Sequence, residues 1–404
     1  MHDFIQATLL NLSLSAMSIL SKPNRGRLLD VDRNPILHGI LKKTFYEQFC
    51  AGENKAESIR TIKELKEMGF RGVMMTFAKE TVFDHSTGSQ QGLGVAALEG
   101  EKAGEHLPLS VTQCANIEAW RQGTLETVDQ LSEGDCLATK LTGAGPKVTQ
   151  AFTAGDLPPQ QMIDALHEIS RKCKERKVRI LVDAESHHFL SGILRYNRDG
   201  YAVVYNTYQA YLKETPATLA RHLAAAQQEG FTLGLKLVRG AYIASDERAL
   251  IHDTKQYTDN AYDTIAQGAL KQEIGDFGTK TPFPSVNLFL ASHNKASLIA
   301  AHQLHKQRLD TGLPTVPVGF GQLHGMSDEV SFSLLALKDS NGDPEVYKCS
   351  TWGTVGECLA YLLRRATENR DAVLRTADEY DALKMEFKRR FKAAFSLSGE
   401  DRSI

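Results

Sequence analysis

The sequence has 404 residues, of which 42% are apolar, with 47 lysines and arginines against 49 aspartates and glutamates. This length allows two or three domains of about 150 residues, or one α/β barrel of roughly 200 to 400 residues. A formal net charge of −2 argues against a nucleic-acid-binding surface, which usually has an excess of basic residues. The 6 cysteines contain no CxxC pair, and no apolar run reaches the roughly 18 residues of a transmembrane helix. Composition favours a soluble, intracellular protein with a large core, a class in which enzymes dominate.

The N-terminal region, residues 1–67, is predicted to be largely helical. Residues 2–21 are broadly apolar but contain no lysine or arginine, and Asp3 is acidic. A mitochondrial transit peptide is rich in arginine and a secretory signal begins with positive charge, so neither pattern is present. We expect a helix that packs on the body of the protein, with peripheral association at a membrane surface as the alternative. A leader carried by a longer precursor remains open.

After residue 67, eight short apolar runs alternate with longer amphipathic stretches. The runs are predicted strands at Phe70–Phe77, Cys136–Leu141, Val178–Val182, Ala202–Tyr205, Thr232–Val238, Val286–Ala291, Val316–Phe320 and Glu345–Lys348. The predicted helices between them include Pro159–Lys174, Pro216–Gly230, Asp259–Gln272 and Ser297–Arg308. Most of the strand runs are solidly apolar, as strands buried on both faces should be. The pattern predicts an α/β fold, a (β/α)8 TIM-type barrel over residues 68–375 with the N-terminal helical region packed on it and a C-terminal helical tail at 376–404.

Two polar stretches interrupt this alternation, a Gly-rich insertion at Asp84–Ser110, predicted to be mobile, and a shorter loop at Gly275–Pro284. The insertion contains Gly92, Gly94 and Ala97 in a G-x-G-x-x-A pattern. That pattern binds a dinucleotide only where a strand runs directly into a helix, and no strand is predicted before it. We therefore expect no Rossmann domain.

In a barrel of this kind, the chemistry belongs at the C-terminal ends of the strands. The polar and charged residues predicted there are Lys140, Asp183, Glu185, Asn206, Gln209, Lys236, Arg239, Ser292, His293, Asn294, Gln322 and His324. Lys140 and Asp183 follow neighbouring strands and are expected to pair, since a buried charge needs compensation. Such a pair could either stabilise the rim of the barrel or take part in the chemistry, and the sequence leaves both alternatives open. Asp183, Glu185, His187 and His188 also suggest a metal site, but adjacent histidines beyond a strand more often lie in a solvated turn, so we expect no metal.

The segment after the eighth predicted strand contains a polar face. Tyr361, Arg364, Arg365 and Glu368 are spaced at i, i+3, i+4 and i+7, which places them on one side of a helix. Two adjacent arginines suit the bidentate binding of a carboxylate. The alternative is a solvated helix face with an Arg–Glu pair, although a glutamate C-terminal to arginine is the poorer orientation for such a pair.

The motifs at these strand ends, taken together, resemble the proline dehydrogenase family, and most of all its monofunctional mitochondrial members in filamentous fungi. The resemblance extends from about Leu29 to Arg375 and depends on residues 182–185, 206–209, 236–242, 321–326 and 361–369. It implies an FAD-dependent barrel that oxidises L-proline to Δ1-pyrroline-5-carboxylate in mitochondria. Hydride would pass to flavin N5, and the electrons would then pass to a quinone.

The resemblance also implies roles for individual residues. Arg364 and Arg365 would hold the substrate carboxylate, while Lys140 would pair with Asp183 beside the amino acid. The pocket wall would comprise Tyr361, Ala241, Leu323 and the residue at the position of Cys349. The matches to positions near the flavin are Gln209, Lys236, Arg239, Ser292, His293, Asn294, Gln322 and Glu368.

The sequence departs from the family pattern in three places. Cys349 stands where the family usually has a tyrosine beside the proline ring, and relatives that act on hydroxyproline have a small residue there. Lys236 occupies a position that is arginine in bacterial members, and the stretch from Glu185 to Tyr196 is shorter than in relatives. Two alternatives follow: the same chemistry on hydroxyproline or another substituted cyclic amino acid, or a catalytically silent barrel that acts as a binding protein.

Overall fold

A computed structural model describes most of the chain, and the remaining residues are not discussed. The described residues are 17–20, 29–78, 80–84, 89–93, 114–183, 197, 200–243, 246–338, 342–369 and 389. The chain divides into two compact units, one of residues 22–358 and one that combines residues 1–21 with 359–404. The predicted boundaries at residues 67 and 375 stay a prediction.

Within the described residues, eight parallel strands close into a barrel, which confirms the predicted TIM-type fold. In chain order, with a short outer strand and a hairpin included, the strands are β1 (Cys50–Gly52), β2 (Gly72–Phe77), β3 (Glu80–Asp84), β4 (Ser89–Leu93), β5 (Cys136–Thr139), β6 (Arg179–Val182), β7 (Val204–Gln209), β8 (Leu233–Val238), β9 (Val286–Ala291), β10 (Val318–Leu323) and β11 (Glu345–Trp352). Barrel order is β2 and then β5 to β11, and β11 pairs with β2 to close it. β1 pairs with the end of β11, and β3 and β4 form an antiparallel hairpin.

Helices alternate with the barrel strands. They are α1 (Pro35–Leu41), α2 (Lys55–Glu67), α3 (Ala115–Val128), α4 (Pro146–Ala154), α5 (Gln160–Glu175), α6 (Thr215–Glu229), α7 (Lys255–Lys271), α8 (Lys295–Asp310), α9 (Asp328–Leu335) and α10 (Val355–Asn369). Shorter helical turns lie at Lys42–Tyr46, Glu47–Phe49, Leu141–Ala144 and Arg248–Leu250. Thr254 and Asn294 cap α7 and α8 by accepting a hydrogen bond from a backbone N–H of the first turn, which is why both helices begin earlier than predicted. No described helix is long and apolar enough to cross a membrane.

Large side chains fill the inside of the barrel at mid-height. Tyr205, Phe289 and Tyr347 are buried together with Met74, and Phe289 lies 5.3 Å from Tyr347 between ring centroids. Gly321 on β10 makes room for them, because a Cβ at this position would approach both Phe289 and Met74 at 2.7 Å. Among the described residues, the barrel is therefore a packed core below its C-terminal end, the end at which barrels of this kind bind their ligands.

Three strands extend further than the apolar runs predicted, because polar residues continue the ladder. β7 ends at Gln209 rather than Tyr205, β10 at Leu323 rather than Phe320, and β11 at Trp352 rather than Lys348. Residues expected in the following loops therefore belong to the strands themselves. Most of the predicted insertion at Asp84–Ser110 lies outside the described residues, apart from Asp84 and β4. The expectation that no strand precedes the G-x-G-x-x-A pattern was wrong, because β4 (Ser89–Leu93) extends into it, although β4 belongs to an antiparallel hairpin rather than to a parallel sheet.

Candidate active site

Two charged side chains meet inside the C-terminal end of the barrel, which we call the mouth. Lys236 on β8 is in register with Phe289 of the interior, and it is 9% exposed. Its Nζ donates to Asp183 Oδ1 at 3.0 Å, across the intervening strand β7. Asp183 directly follows β6, and its backbone N–H donates to the carbonyl of Thr139 on β5. The mouth thus contains a partly buried lysine–aspartate pair.

Lys140, predicted to pair with Asp183, follows β5 immediately and lies beside β6 as expected. The ion pair recorded for Asp183 is with Lys236, and a Lys140–Asp183 pair stays a prediction. The Lys140 carbonyl accepts a hydrogen bond from Trp120 Nε1 at 2.9 Å. A small pocket opens beside it, lined by Thr76, Phe77, Trp120, Thr124, Thr127, Leu137, Ala138, Thr139 and Lys140.

Gln209, at the end of β7, holds the segment that follows β8. Its Oε1 accepts from the backbone N–H of Ala241 at 2.8 Å, and its amide nitrogen lies 3.5 Å from Asp246 Oδ2. The Tyr211 hydroxyl also donates to Asp246 and accepts from the backbone N–H of Tyr242. These contacts fix the backbone of Ala241, a predicted pocket residue, at the mouth.

Arg239 is engaged by the protein on several sides. Its Nε donates to Asp259 Oδ1 at 2.6 Å, and its Nη1 and Nη2 donate to the hydroxyls of Ser292 and Ser297 at 2.7 and 2.9 Å. The guanidinium also lies 4.2 Å from the ring centroid of Tyr262. Burial alone would raise the pKa of Asp259, but the hydrogen bond from Arg239, with that from Lys255, outweighs burial and lowers this pKa. Arg239 therefore joins the end of β8 to the segment after β9.

The segment after β9 and the end of β10 contact each other. Leu323 donates its backbone N–H to His293 Nε2 at 3.1 Å, so this nitrogen is an acceptor. Asn294 caps α8 through Oδ1, which accepts from the N–H of Ser297. Gln322 is buried, and its amide contacts the Ser292 carbonyl at 3.4 Å and the Ser331 hydroxyl at 2.9 Å. The structure therefore brings these predicted residues together, with Gln322 already bound by protein atoms.

Cys349 lies on β11 and packs against the interior cluster, with Leu323 as its register partner on β10. This places the two predicted pocket residues side by side at the mouth. Lys348, beside them, was not among the predicted site residues, whereas His324 was predicted at a strand end without a role in the site. The sequence could have indicated Lys348, because a lysine within a predicted buried strand needs a partner for its charge.

The helix predicted after the eighth strand is confirmed as α10. Its backbone places Tyr361, Arg364, Arg365 and Glu368 on one helix face, and Tyr361 is buried. The side chains of the other three lie outside the described ones, so the carboxylate clamp stays a prediction. The shortened stretch from Glu185 to Tyr196 also lies outside the described residues.

The residues at the mouth fit a flavin in their chemistry. A flavin ring presents carbonyl oxygens and ring nitrogens, whose reactivity a protein tunes by hydrogen-bond donors and positive charge. Lys236 provides a buried ammonium, which has three N–H donors. One of these donates to Asp183. The carboxamide of Gln209 and the imidazole of His293 lie at the ends of nearby strands. The Lys236 ammonium in particular suits an electron-accepting ring better than a metal ion, because it is a cation with no lone pair to donate.

Comparison with known proteins agrees with this arrangement. A family model described as proline dehydrogenase matches residues 59–378. The chain is similar to the probable mitochondrial proline dehydrogenase of Schizosaccharomyces pombe, at 28% identity with 95% of this chain and 85% of that protein covered. It is also similar to the hydroxyproline dehydrogenase of Bos taurus, at 29% identity with 87% and 82% covered.

Among solved structures, the chain resembles proline utilization A (PutA) from Bdellovibrio bacteriovorus inactivated by N-propargylglycine. The TM-score is 0.63 at 16% identity, over 88% of this chain. This chain spans only 37% of that PutA chain, and at this identity the likeness shows the fold alone.

Proposed function

Because the chain belongs to the proline dehydrogenase family, we propose that it oxidises L-proline to Δ1-pyrroline-5-carboxylate with FAD as its cofactor. The observation that carries the proposal is the Lys236–Asp183 pair inside the mouth, within the residues that the family model matches. The named mitochondrial relatives support a mitochondrial location. Membership of the family implies a quinone as the electron acceptor.

The chain's own residues would orient the substrate and adjust its charge. Arg364 and Arg365 bind the carboxylate in a bidentate manner and so fix the ring carbon that loses hydride. Lys140 and Lys236 make the mouth positive, which disfavours the ammonium form of the amino acid and promotes the neutral amine that can release hydride. Asp183 holds Lys236 in place. When bound, FAD would accept the hydride.

The residues that would hold FAD lie at the ends of β7 to β10 and on α10. They are Gln209, Lys236, Arg239, Ser292, His293, Asn294, Gln322 and Glu368. The polar groups of Arg239 and Gln322 already contact protein atoms. These two residues would therefore also hold the neighbouring strand ends in place around the cofactor.

The test is to purify the protein with FAD and record its visible absorption under anaerobic conditions. We expect a flavin spectrum that bleaches on addition of L-proline, together with formation of Δ1-pyrroline-5-carboxylate and reduction of a soluble quinone analogue. Colourless protein that cannot be reconstituted with FAD would contradict the proposal. It would favour the alternative of a silent barrel that binds rather than converts its ligand.

A second candidate substrate is supported by Cys349. Its small side chain lies beside Leu323 in the mouth, where a ring hydroxyl would need room. Steady-state rates on L-proline and trans-4-hydroxy-L-proline decide between the two, and a preference for proline above about tenfold, or 1.4 kcal/mol, excludes the second.

A further inference from the structure

Lys348 is a buried cation next to the candidate substrate pocket. Its side chain is 2% exposed, and its Nζ donates to Asp328 Oδ1 at 2.7 Å and to the Met326 carbonyl at 2.9 Å. The Leu323 carbonyl lies 3.5 Å away, and the ammonium is 5.7 Å from the ring centroid of Phe70. All three oxygen atoms belong to residues 323–328, from the last residue of β10 to the first residue of α9, a segment that we call the mouth loop.

The mouth loop has a tight and specific backbone. The N–H of Met326 donates to the Leu323 carbonyl at 3.2 Å, which closes a turn. Gly325 has φ +68°, and a Cβ there would lie 2.0 Å from the Gln48 carbonyl oxygen, so the turn also packs closely on the residues before β1. Ser327 has φ +51°, an uncommon conformation for a residue other than glycine. External contacts must therefore hold this conformation.

Strand alternation places Lys348 and Cys349 on opposite faces of β11. Cys349 packs with the barrel interior, whereas Lys348 reaches the mouth loop outside it. Leu323, the first residue of the loop, is the register partner of Cys349, and His324 donates its backbone N–H to the Cys349 carbonyl. The loop and the strand thus meet at the two residues predicted to shape the pocket.

The burial of the Lys348 ammonium constrains the position of the mouth loop. An ammonium removed from water is costly unless oxygen atoms surround it at hydrogen-bond distance. The Met326 carbonyl and the Asp328 carboxylate help to meet this requirement where the structure has them. A displaced loop would take both oxygen atoms away from the buried ammonium, so the cation favours this loop position.

We propose that Lys348 is a positioning residue that fixes Leu323 against Cys349 and so sets the fit of the substrate ring. This inference rests on the proposed function for its substrate. A lysine that only stabilised the fold could make the same contacts with the mouth loop. The test must therefore separate loop position from stability.

The experiment compares Lys348→Met, which keeps the length and packing of the side chain but removes its charge, with wild type and with Lys338→Met. Lys338 is an exposed matched control, because its Nζ also donates to a backbone carbonyl, that of Gly69 before β2, at the opposite end of the barrel. Asp328→Asn is a second, milder variant, because this carboxylate is 53% exposed and can remain solvated. Hydrogen exchange is measured over residues 320–350, together with KM and kcat for L-proline and trans-4-hydroxy-L-proline.

We expect faster exchange confined to residues 323–328 in Lys348→Met, a rise in KM of about tenfold, and a kcat within about twofold. Asp328→Asn should change both in the same direction by less, and Lys338→Met should change neither. A lower melting temperature with unchanged exchange in the loop, or with unchanged KM, would overturn the inference. Wild-type protein that oxidises neither amino acid would overturn the proposed function and the substrate part with it, while the exchange data would still decide whether Lys348 holds the loop.

Discussion

Lys236 Nζ and Asp183 Oδ1 lie 3.0 Å apart across strand β7, so a cation and an anion from two non-adjacent strands meet inside the barrel mouth. Neither charge reaches the interior below, where aromatic side chains fill the space. Lys236 is one of the residues proposed to hold the cofactor, and Asp183 is proposed to lie beside the substrate.

Removing the carboxylate of this pair should impair both stability and activity. Asp183→Asn leaves Lys236 partly buried without its anion, so we expect a loss of roughly 1–3 kcal/mol in the free energy of unfolding. We also expect kcat/KM to fall by about a hundredfold because the ammonium is no longer held. Denaturant unfolding and steady-state kinetics on L-proline measure the two effects.

The matched control for that variant is Asp253→Asn. Asp253 accepts from Lys213 at 3.2 Å, but both side chains are largely exposed, so removing this carboxylate should cost at most about 1 kcal/mol. Equal losses in the two variants would contradict a special role for the buried pair.

Cys349→Tyr should shift substrate preference towards L-proline. The larger ring would fill space beside Leu323 and restore the hydroxyl that the family usually has at this position. The ratio of kcat/KM for L-proline over trans-4-hydroxy-L-proline should rise by about tenfold, or 1.4 kcal/mol. Cys349→Ser, which preserves the small size, should leave the ratio nearly unchanged; a similar shift in both variants would show that pocket size is not the cause.

Arg364→Ala should raise KM far more than it lowers kcat, if α10 provides the carboxylate clamp. One charge-assisted hydrogen bond contributes roughly 1.5–3 kcal/mol, which corresponds to a KM increase of about 10- to 150-fold. Arg221→Ala is the control, because Arg221 is an exposed arginine on α6 that pairs with Glu214. Unchanged KM in Arg364→Ala would remove the clamp from the proposed mechanism.

His324 should make the protein less stable as the pH falls. Burial, and next the positive charge of Lys348, lower the pKa of His324 to about 4, below its usual value near 6.5. The unfolded chain therefore binds more protons between these values, so the free energy of unfolding decreases as the pH falls from about 6.5 to 4, by at most about 3 kcal/mol. His324→Gln removes the titrating group, and its unfolding curves at pH 7.5 and 4.5 should differ less than those of wild type. An equal difference in both proteins would assign the effect to other groups.

The sequence located the strands well where they are apolar and poorly where polar residues extend them. Asn206 to Gln209 were expected after the fourth strand, but the backbone hydrogen bonds of the barrel continue through them to the end of β7. The pattern of apolar residues indicates which side chains are buried, not where the backbone hydrogen bonds between strands end. It therefore misses strand ends that carry functional polar side chains.

By itself, the sequence determined the barrel class and the residue types at the strand ends, because alternating apolar runs and amphipathic helices have few ways to bury their surfaces. Only the tertiary structure decided which side chains meet. It paired Asp183 with Lys236 from a strand two places away, and it brought Lys348 to the mouth loop. Such contacts depend on strand register and on which face each side chain occupies, and neither is encoded in the residues next to it along the chain.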